Sequence, residues 1–173
     1  MKRIGLLSDT HSFLDDSIFR YFGECDEVWH AGDIGDAAVV DRLEAFRPLR
    51  AVYGNIDEPA MRRRYPEDLR FECEGVDVFI THIGGYPGRY SKRAGAIIRQ
   101  NPPRLFICGH SHILKVMPDK RHGLLHINPG AAGRQGFHKV RTVVRFTLED
   151  GDIRDLQVIE LGLRVDSMAG LED

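Results

Sequence analysis

The chain has 173 residues, 42% of them hydrophobic and 29% charged, with 8 prolines and no low-complexity tract. That composition excludes a disordered or fibrous protein. One domain of this length buries about 70% of the surface its unfolded form exposes, so it needs neither a disulfide nor a structural metal merely to fold. The formal net charge of −2 argues against a surface built throughout to grip nucleic-acid backbone.

Cys25, Cys73 and Cys108 are odd in number and have no C-x-x-C spacing. They therefore suggest neither a disulfide framework nor a zinc ribbon, and a reducing cytoplasm is the expected location. Residues 1–8 read as a strand rather than a signal peptide, and no run approaches the ~20 apolar residues of a membrane span.

In chain order, Arg3 to Ser8 is a short apolar run that opens into Asp9-Thr10-His11, as a buried strand does when it delivers polar residues to a loop. A helical stretch around Asp15 to Phe22 precedes a second strand, Glu27 to Ala31, ending at Gly32-Asp33. Asp36 is placed to cap a helix through Phe46, and Leu49 to Tyr53 makes a third strand ending at Gly54-Asn55. Strands alternating with helices predict a largely parallel sheet whose ligands gather at the carboxyl ends of the strands.

Leu69 to Cys73 and Val76 to Thr81 read as a hairpin whose second strand runs into His82. Ser91 to Gln100 predicts a helix stopped by Asn101-Pro102-Pro103, and Leu105 to Cys108 a buried strand entering Gly109-His110-Ser111-His112. Three further β-like runs, Leu124 to Ile127, Val140 to Leu148 and Ile153 to Leu161, are expected to form a second, more antiparallel sheet. Val165 to Asp173 reads as a loosely held tail after one domain over residues 1–164.

The strand ends thus collect Asp9, His11, Asp33, Asn55, His82, His110 and His112 on one rim: two carboxylates, one amide and four imidazoles. Mixed oxygen and nitrogen donors suit first-row divalent ions such as Mn²⁺, Fe²⁺ or Zn²⁺, and the lack of thiolates argues against a structural zinc site. Seven donors exceed one tetrahedral metal. Two metals roughly 3.5 to 4 Å apart, sharing a carboxylate, would use them all and leave positions open for water and a substrate oxygen.

These residues resemble the calcineurin-like metallophosphoesterases, in particular their small prokaryotic YfcE-like branch. The likeness is carried by Asp9-Thr10-His11, Gly32-Asp33, Gly54-Asn55, Thr81-His82 and Gly109-His110-Ser111-His112, in that order, and extends to Asn128-Pro129-Gly130. It covers roughly residues 1 to 161. The resemblance implies an α/β fold, a two-sheet β-sandwich flanked by helices in four αββα layers. It also implies a first metal on Asp9, His11, Asp33 and His112 and a second on Asp33, Asn55, His82 and His110. Asp33 is then the bridge, and Asp33, Asn55 and His82 take part in catalysis. Mn²⁺ is the expected ion, with Fe, Zn, Ni or Mg as alternatives.

Two positions depart from that pattern. Many members carry a His directly after the Gly-Asn pair, where it can protonate the leaving oxygen; here the residue is Ile56. Losing a general acid removes about 10² to 10⁴-fold from a reaction that needs one, which shifts the expected substrates toward phosphodiesters with good leaving groups. The second departure is Ile83-Gly84-Gly85, where the branch has Gly-His after the ligand His; changed substrate contacts are expected there.

The expected reaction is hydrolysis of a small-molecule phosphate ester by a hydroxide bridging the two metals, without a covalent intermediate. Ser8, Ser111 and the cysteines lack the adjacent base that an activated nucleophile requires. Asp57 is placed either to orient a ligand imidazole or to serve as an ordinary loop carboxylate. His30, His122, His126 and His138 fit no motif position and read as ordinary core or surface residues. Arg62-Arg63-Arg64, Arg134, Lys139 and Arg141 read more readily as solvated basic residues than as substrate contacts.

Three rival functions are distinguishable. A non-catalytic interaction module, as in the retromer scaffold subunit that resembles this fold, predicts missing ligands, and none is missing. A nuclease predicts a basic groove or an accessory domain, so nucleic acid is not the favoured partner. Di-iron redox sites use Glu-x-x-His motifs on helices, which disagrees with ligands at strand ends. No membrane partner is expected, and an exposed strand edge would allow a homodimer.

Overall fold

The computed structural model describes residues 1–165. The tail expected from Val165 onward lies, from residue 166, outside the described residues.

The amino-terminal third repeats a strand and helix unit: β1 (Lys2–Leu7), α1 (Ser17–Tyr21), β2 (Glu27–His30), α2 (Ala37–Phe46) and β3 (Leu49–Ala51). β1 pairs in parallel with β2, and β2 with β3, so all three carboxyl ends meet one rim. Asp36 caps α2, its carboxylate accepting from the Ala38 N–H at 3.0 Å. α3 (Pro59–Arg64) opens on proline, whose missing N–H costs nothing in a first turn.

β4 (Asp68–Cys73) and β5 (Val76–Thr81) form the expected antiparallel hairpin. A short ribbon of β6 (Gly85–Tyr86) and β7 (Arg89–Tyr90) follows. α4 (Lys92–Gln100), capped by Ser91, then leads to β8 (Leu105–Ile107). With β9 (Lys115–Asp119) and β10 (Leu124–Asn128) these strands make a sheet in the order β4-β5-β8-β10-β9.

β11 (Val140–Glu149) and β12 (Asp152–Leu163) correct the sequence reading. They do not join the second sheet; β11 runs antiparallel to β1, with Lys2 opposite Leu148 and Leu6 opposite Val144, and the first sheet reads β12-β11-β1-β2-β3. Burial explains the placement. β11 sends Val144, Phe146 and Leu148 into one core and Val143 into another, so it needs cover on both faces. β12 is largely exposed and takes the edge.

The two sheets pack face to face over Ile4, Leu6, Trp29, Val78, Ile80, Leu105, Ile107 and Ile127. Alternate residues turn outward under helices: Leu7 and Val28 meet Ile18, Val39 and Leu43 of α1 and α2, while Phe79 and Phe106 meet Ala94 and Ile98 of α4. This period of two on strands covered on both faces produces four αββα layers, each large buried side chain contributing about 1.5–3 kcal/mol. The three cysteines are buried and unpaired. Among the described residues no helix is long and apolar enough to cross a membrane.

Candidate metal centre

The loop after β1 is laced to the loop after β2. The N–H groups of Asp9, His11 and Ser12 donate to the carbonyls of Gly32, Asp33 and Ile34 at 2.9, 3.1 and 2.9 Å. The segment after β10 closes the other side, Ala132 and Gly133 donating to the carbonyls of Ser8 and Asp9. Asp9, His11, Asp33, His110 and His112 all hold positive φ, between 44° and 72°. Such backbone costs of order 1–3 kcal/mol per residue and persists where surrounding contacts over-determine it. These contacts hold the loops of Asp9, His11 and Asp33 together at the rim.

The candidate residues assemble into two groups, Asp9 with His11 and His112, and Asp33 with His82 and His110. His112 Nε2 stands 3.2 Å from Asp9 Oδ1. His11 Nε2 and His82 Nε2 stand 3.4 and 3.2 Å from Asp33 Oδ2, and 3.9 and 3.8 Å from Asp9 Oδ1. Asn55 joins through Oδ1, 3.0 Å from His110 Nδ1. All seven residues named from the sequence are therefore brought together.

Each carboxylate is held by one oxygen and left open at the other. Asp9 Oδ2 accepts from the Ser8 hydroxyl at 2.6 Å and the His110 N–H at 3.1 Å, while Oδ1, fully buried, has no hydrogen-bond partner. Asp33 Oδ1 accepts from the Ile56 N–H at 3.0 Å, and Oδ2 faces the two imidazoles. His82 Nδ1 lies 2.7 Å from the Ala31 carbonyl, so it must carry the proton. In the neutral ring its Nε2 is then a lone pair facing a carboxylate.

His82 Nε2 and His11 Nε2 are both buried without a hydrogen-bond partner. Unpaired buried lone pairs and carboxylate oxygens repel one another unless a cation lies between them. The pKa directions agree. Although burial opposes it, the neighbouring imidazoles, His11 and His112 first, hold Asp9 well below the usual carboxylate range. Asp33, and then Asp9, push His11 up to about 9. The site favours positive charge between these atoms, and its oxygen and imidazole donors fit divalent cations.

Several supports were not legible as such. Asp57 does not orient an imidazole: its carboxylate accepts from the N–H groups of Ile34, Gly35 and Gly54 at 3.2, 2.9 and 2.7 Å, clasping the Asp33 loop to the Asn55 loop. His30 is buried, with Nδ1 accepting from the Gly32 N–H and Nε2 donating to the Thr10 hydroxyl, which itself donates to Ile34. Asn128 Nδ2 donates to the Gly109 carbonyl and to Ser111 Oγ, shaping the loop of His110 and His112. Asn128, in its Asn-Pro-Gly setting, and Asp57, beside Asn55, gave sequence signals, although the role expected of Asp57 was a different one.

The residues set aside as nucleophiles remain so. Ser8 is spent on Asp9, Ser111 Oγ accepts from Ile113 and Asn128, and burial pushes the Cys25 and Cys108 thiols up to about 11 and about 12. His122 pairs with Asp119, and Arg141 with Asp15. His138 donates to the Gly133 carbonyl and packs edge-on against His112 at 5.2 Å. The basic run divides, since Arg64 pairs with Asp41 and Glu44 while Arg62 turns toward Asn55.

Residues 1–151 match the family model of the calcineurin-like phosphoesterase superfamily domain, and the chain belongs to that superfamily. A protein of Methanothermobacter thermautotrophicus described as a probable metallophosphoesterase is 27% identical over 180 aligned positions, 94% of each chain. Among solved structures, an archaeal phosphodiesterase superposes with TM-score 0.74 at 22% identity, covering 92% of this chain and 99% of its own. Vps29 of Entamoeba histolytica in complex with Zn²⁺ superposes with TM-score 0.68 at 18% identity, covering 91% and 98%. At those identities the two structures show the fold alone. With the family, they establish a metallophosphoesterase fold carrying two groups of candidate metal-binding residues.

Proposed function

We propose that the chain hydrolyses phosphate esters, phosphodiesters in preference to monoesters, using two divalent cations held by Asp9, His11, Asp33, Asn55, His82, His110 and His112. Mn²⁺ is the ion favoured for the site. The observation that carries the reading is the convergence of Asp9 Oδ1, His11 Nε2 and His82 Nε2, three buried atoms without a hydrogen-bond partner, beside Asp33 Oδ2. Bound there, the cations supply charge neutralisation for the phosphoryl oxygens and a water ionised near pH 7.

The protein residues hold this arrangement ready. The Ile56 N–H fixes Asp33 so that Oδ2 serves both groups, and the Ala31 carbonyl fixes the His82 tautomer. Ser8 and the His110 N–H turn Asp9 Oδ1 inward. The Ile56 side chain, 41% exposed, brings no proton to a departing oxygen, which supports esters that leave as stable oxyanions, such as aryl or nucleoside diesters. A scaffold role would not require all seven donors. The buried free cysteines fit a reducing cytoplasm, and the slight acidity of the chain favours a small ester over nucleic acid.

The test is hydrolysis of bis-p-nitrophenyl phosphate against p-nitrophenyl phosphate after chelation, again with Mn²⁺ restored, and in Asp33→Ala. Activity that returns with metal, favours the diester and is lost in the variant is the expected result. If no metal revives either reaction, the reading fails.

A further inference from the structure

Of the cavities that reach the candidate centre, two differ in the charged side chains that line them. The one beside Asn55 and His82, about 430 Å³, is lined by Arg62, Lys92 and Arg93 with Glu67 as its one carboxylate. The one beside His11 and His112, about 480 Å³, is lined by Phe137, Ile113, Gln135 and histidines, with no Lys, Arg, Asp or Glu. Both volumes suit part of a small ligand.

The three cations are committed differently. Arg93 pairs with Asp68 and lies 3.6 Å from Glu67, which offsets its charge. Arg62 donates Nε to the Asp57 carbonyl at 2.8 Å and Nη2 to the Asn55 carbonyl at 3.1 Å, with its guanidinium 4.8 Å over the Tyr53 ring. Those partners fix its position beside the centre without neutralising it. Lys92, exposed at the first turn of α4, makes no hydrogen bond or ion pair with any described residue.

We propose that this cleft is an anion subsite. It receives a second negatively charged group, a carboxylate or phosphate, on the arm of the ester that enters beside Asn55 and His82, with Arg62 as the fixed cation and Lys92 as the free one. The cavity on the opposite side, which has no Lys or Arg, takes a neutral arm. The inference rests on the phosphoesterase reading of the adjoining centre and adds the substrate class: esters charged at one end only. An anionic arm meets two cations that lack a carboxylate partner, whereas a neutral arm there leaves both solvated.

Two p-nitrophenyl phosphodiesters that differ only in whether the alkyl arm ends in a methyl group or a carboxylate test this with the Mn²⁺-loaded protein. The charged ester is expected to be favoured about five- to tenfold in kcat/KM, mostly through KM. Lys92→Glu is expected to abolish or invert that preference. A second readout needs no activity. Inorganic phosphate titrated into the metal-free, ¹⁵N-labelled protein is expected to shift the amides of Ile83, Ser91 and Lys92, and Lys92→Glu to weaken the response. Equal kcat/KM for the two esters in the unaltered protein, or phosphate shifts indifferent to Lys92→Glu, overturns the subsite. If neither ester is cleaved with any metal, the phosphoesterase reading has failed and the phosphate titration alone decides whether the cleft binds anions.

Discussion

The imidazole of His82, at the end of a strand in the second sheet, donates its Nδ1 proton to the carbonyl of Ala31, which follows a strand of the first sheet, at 2.7 Å. One hydrogen bond therefore ties the two halves of the sandwich together at the rim and aims Nε2 at Asp33. Packing of the sheets and geometry of the centre are coupled through this contact, which gives His82 a structural as well as a chemical part.

His82→Ala is expected to weaken metal binding and also to destabilise the metal-free protein by about 1–3 kcal/mol, because the buried Ala31 carbonyl loses its donor. Urea unfolding in the presence of a chelator separates the two effects. A variant as stable as the parent without metal would mean that the Ala31 contact does not matter to the fold.

Gly54 has no left-handed backbone; it is glycine because of crowding. A Cβ there would overlap Asp33 Oδ1 and the Asp33 backbone nitrogen. Gly54→Ala is expected to cost about 1–3 kcal/mol as an overpacking change and to displace the Asp33 carboxylate. Calorimetric titration with Mn²⁺ should show weakened binding. Affinity equal to the parent's would place Asp33 outside the site.

Asp57, 3% exposed, gathers three backbone N–H groups from two loops. Asp57→Ala strands them and is expected to cost about 3 kcal/mol or more, whereas Asp57→Asn, which keeps an accepting oxygen, costs less. Chemical denaturation of both variants checks the order. Equal losses would show that the charge, rather than the acceptor geometry, holds the loops.

Much of this arrangement was legible because of where the polar residues fall. Asp9, Asp33, Asn55, His82 and His110 each follow a short apolar run, and alternation around parallel strands carries such ends to one rim. Sheet membership was not legible for residues 140–161: their local pattern announces a hairpin, but which edge receives it depends on β1, more than a hundred residues away. β9, half exposed and containing Pro118, shows neither alternation nor an apolar run. Asp57 and His30 act through backbone groups of other loops, which residue type alone cannot reveal. The charged cleft joins Asn55, Arg62 and Lys92, residues that only folding brings together.

Burial lowers the pKa of His126 to about 4; its ring stacks on Phe106, and Nδ1 reaches the Phe106 carbonyl at 3.2 Å. The folded state thus keeps His126 neutral while the unfolded chain takes up a proton below about 6.5, so the unfolded state binds more protons and stability falls as pH drops through that window. His30 has the same sign, lowered by burial to about 4. His126→Phe, which keeps the stacking, is expected to reduce the stability lost between pH 7 and pH 5 by about 2 kcal/mol. Urea midpoints at the two pH values measure it, and an unchanged loss would mean that His126 is protonated in the fold.

The central claim is that these seven side chains hold two cations, and metal stoichiometry tests it most directly. Stripped protein titrated with Mn²⁺ in a calorimeter, with the bound metal counted by elemental analysis, is expected to take two equivalents per chain, and Asp33→Ala to lose tight binding at both positions. One equivalent or fewer in the unaltered protein, or two retained in Asp33→Ala, would contradict a two-metal centre shared through that carboxylate.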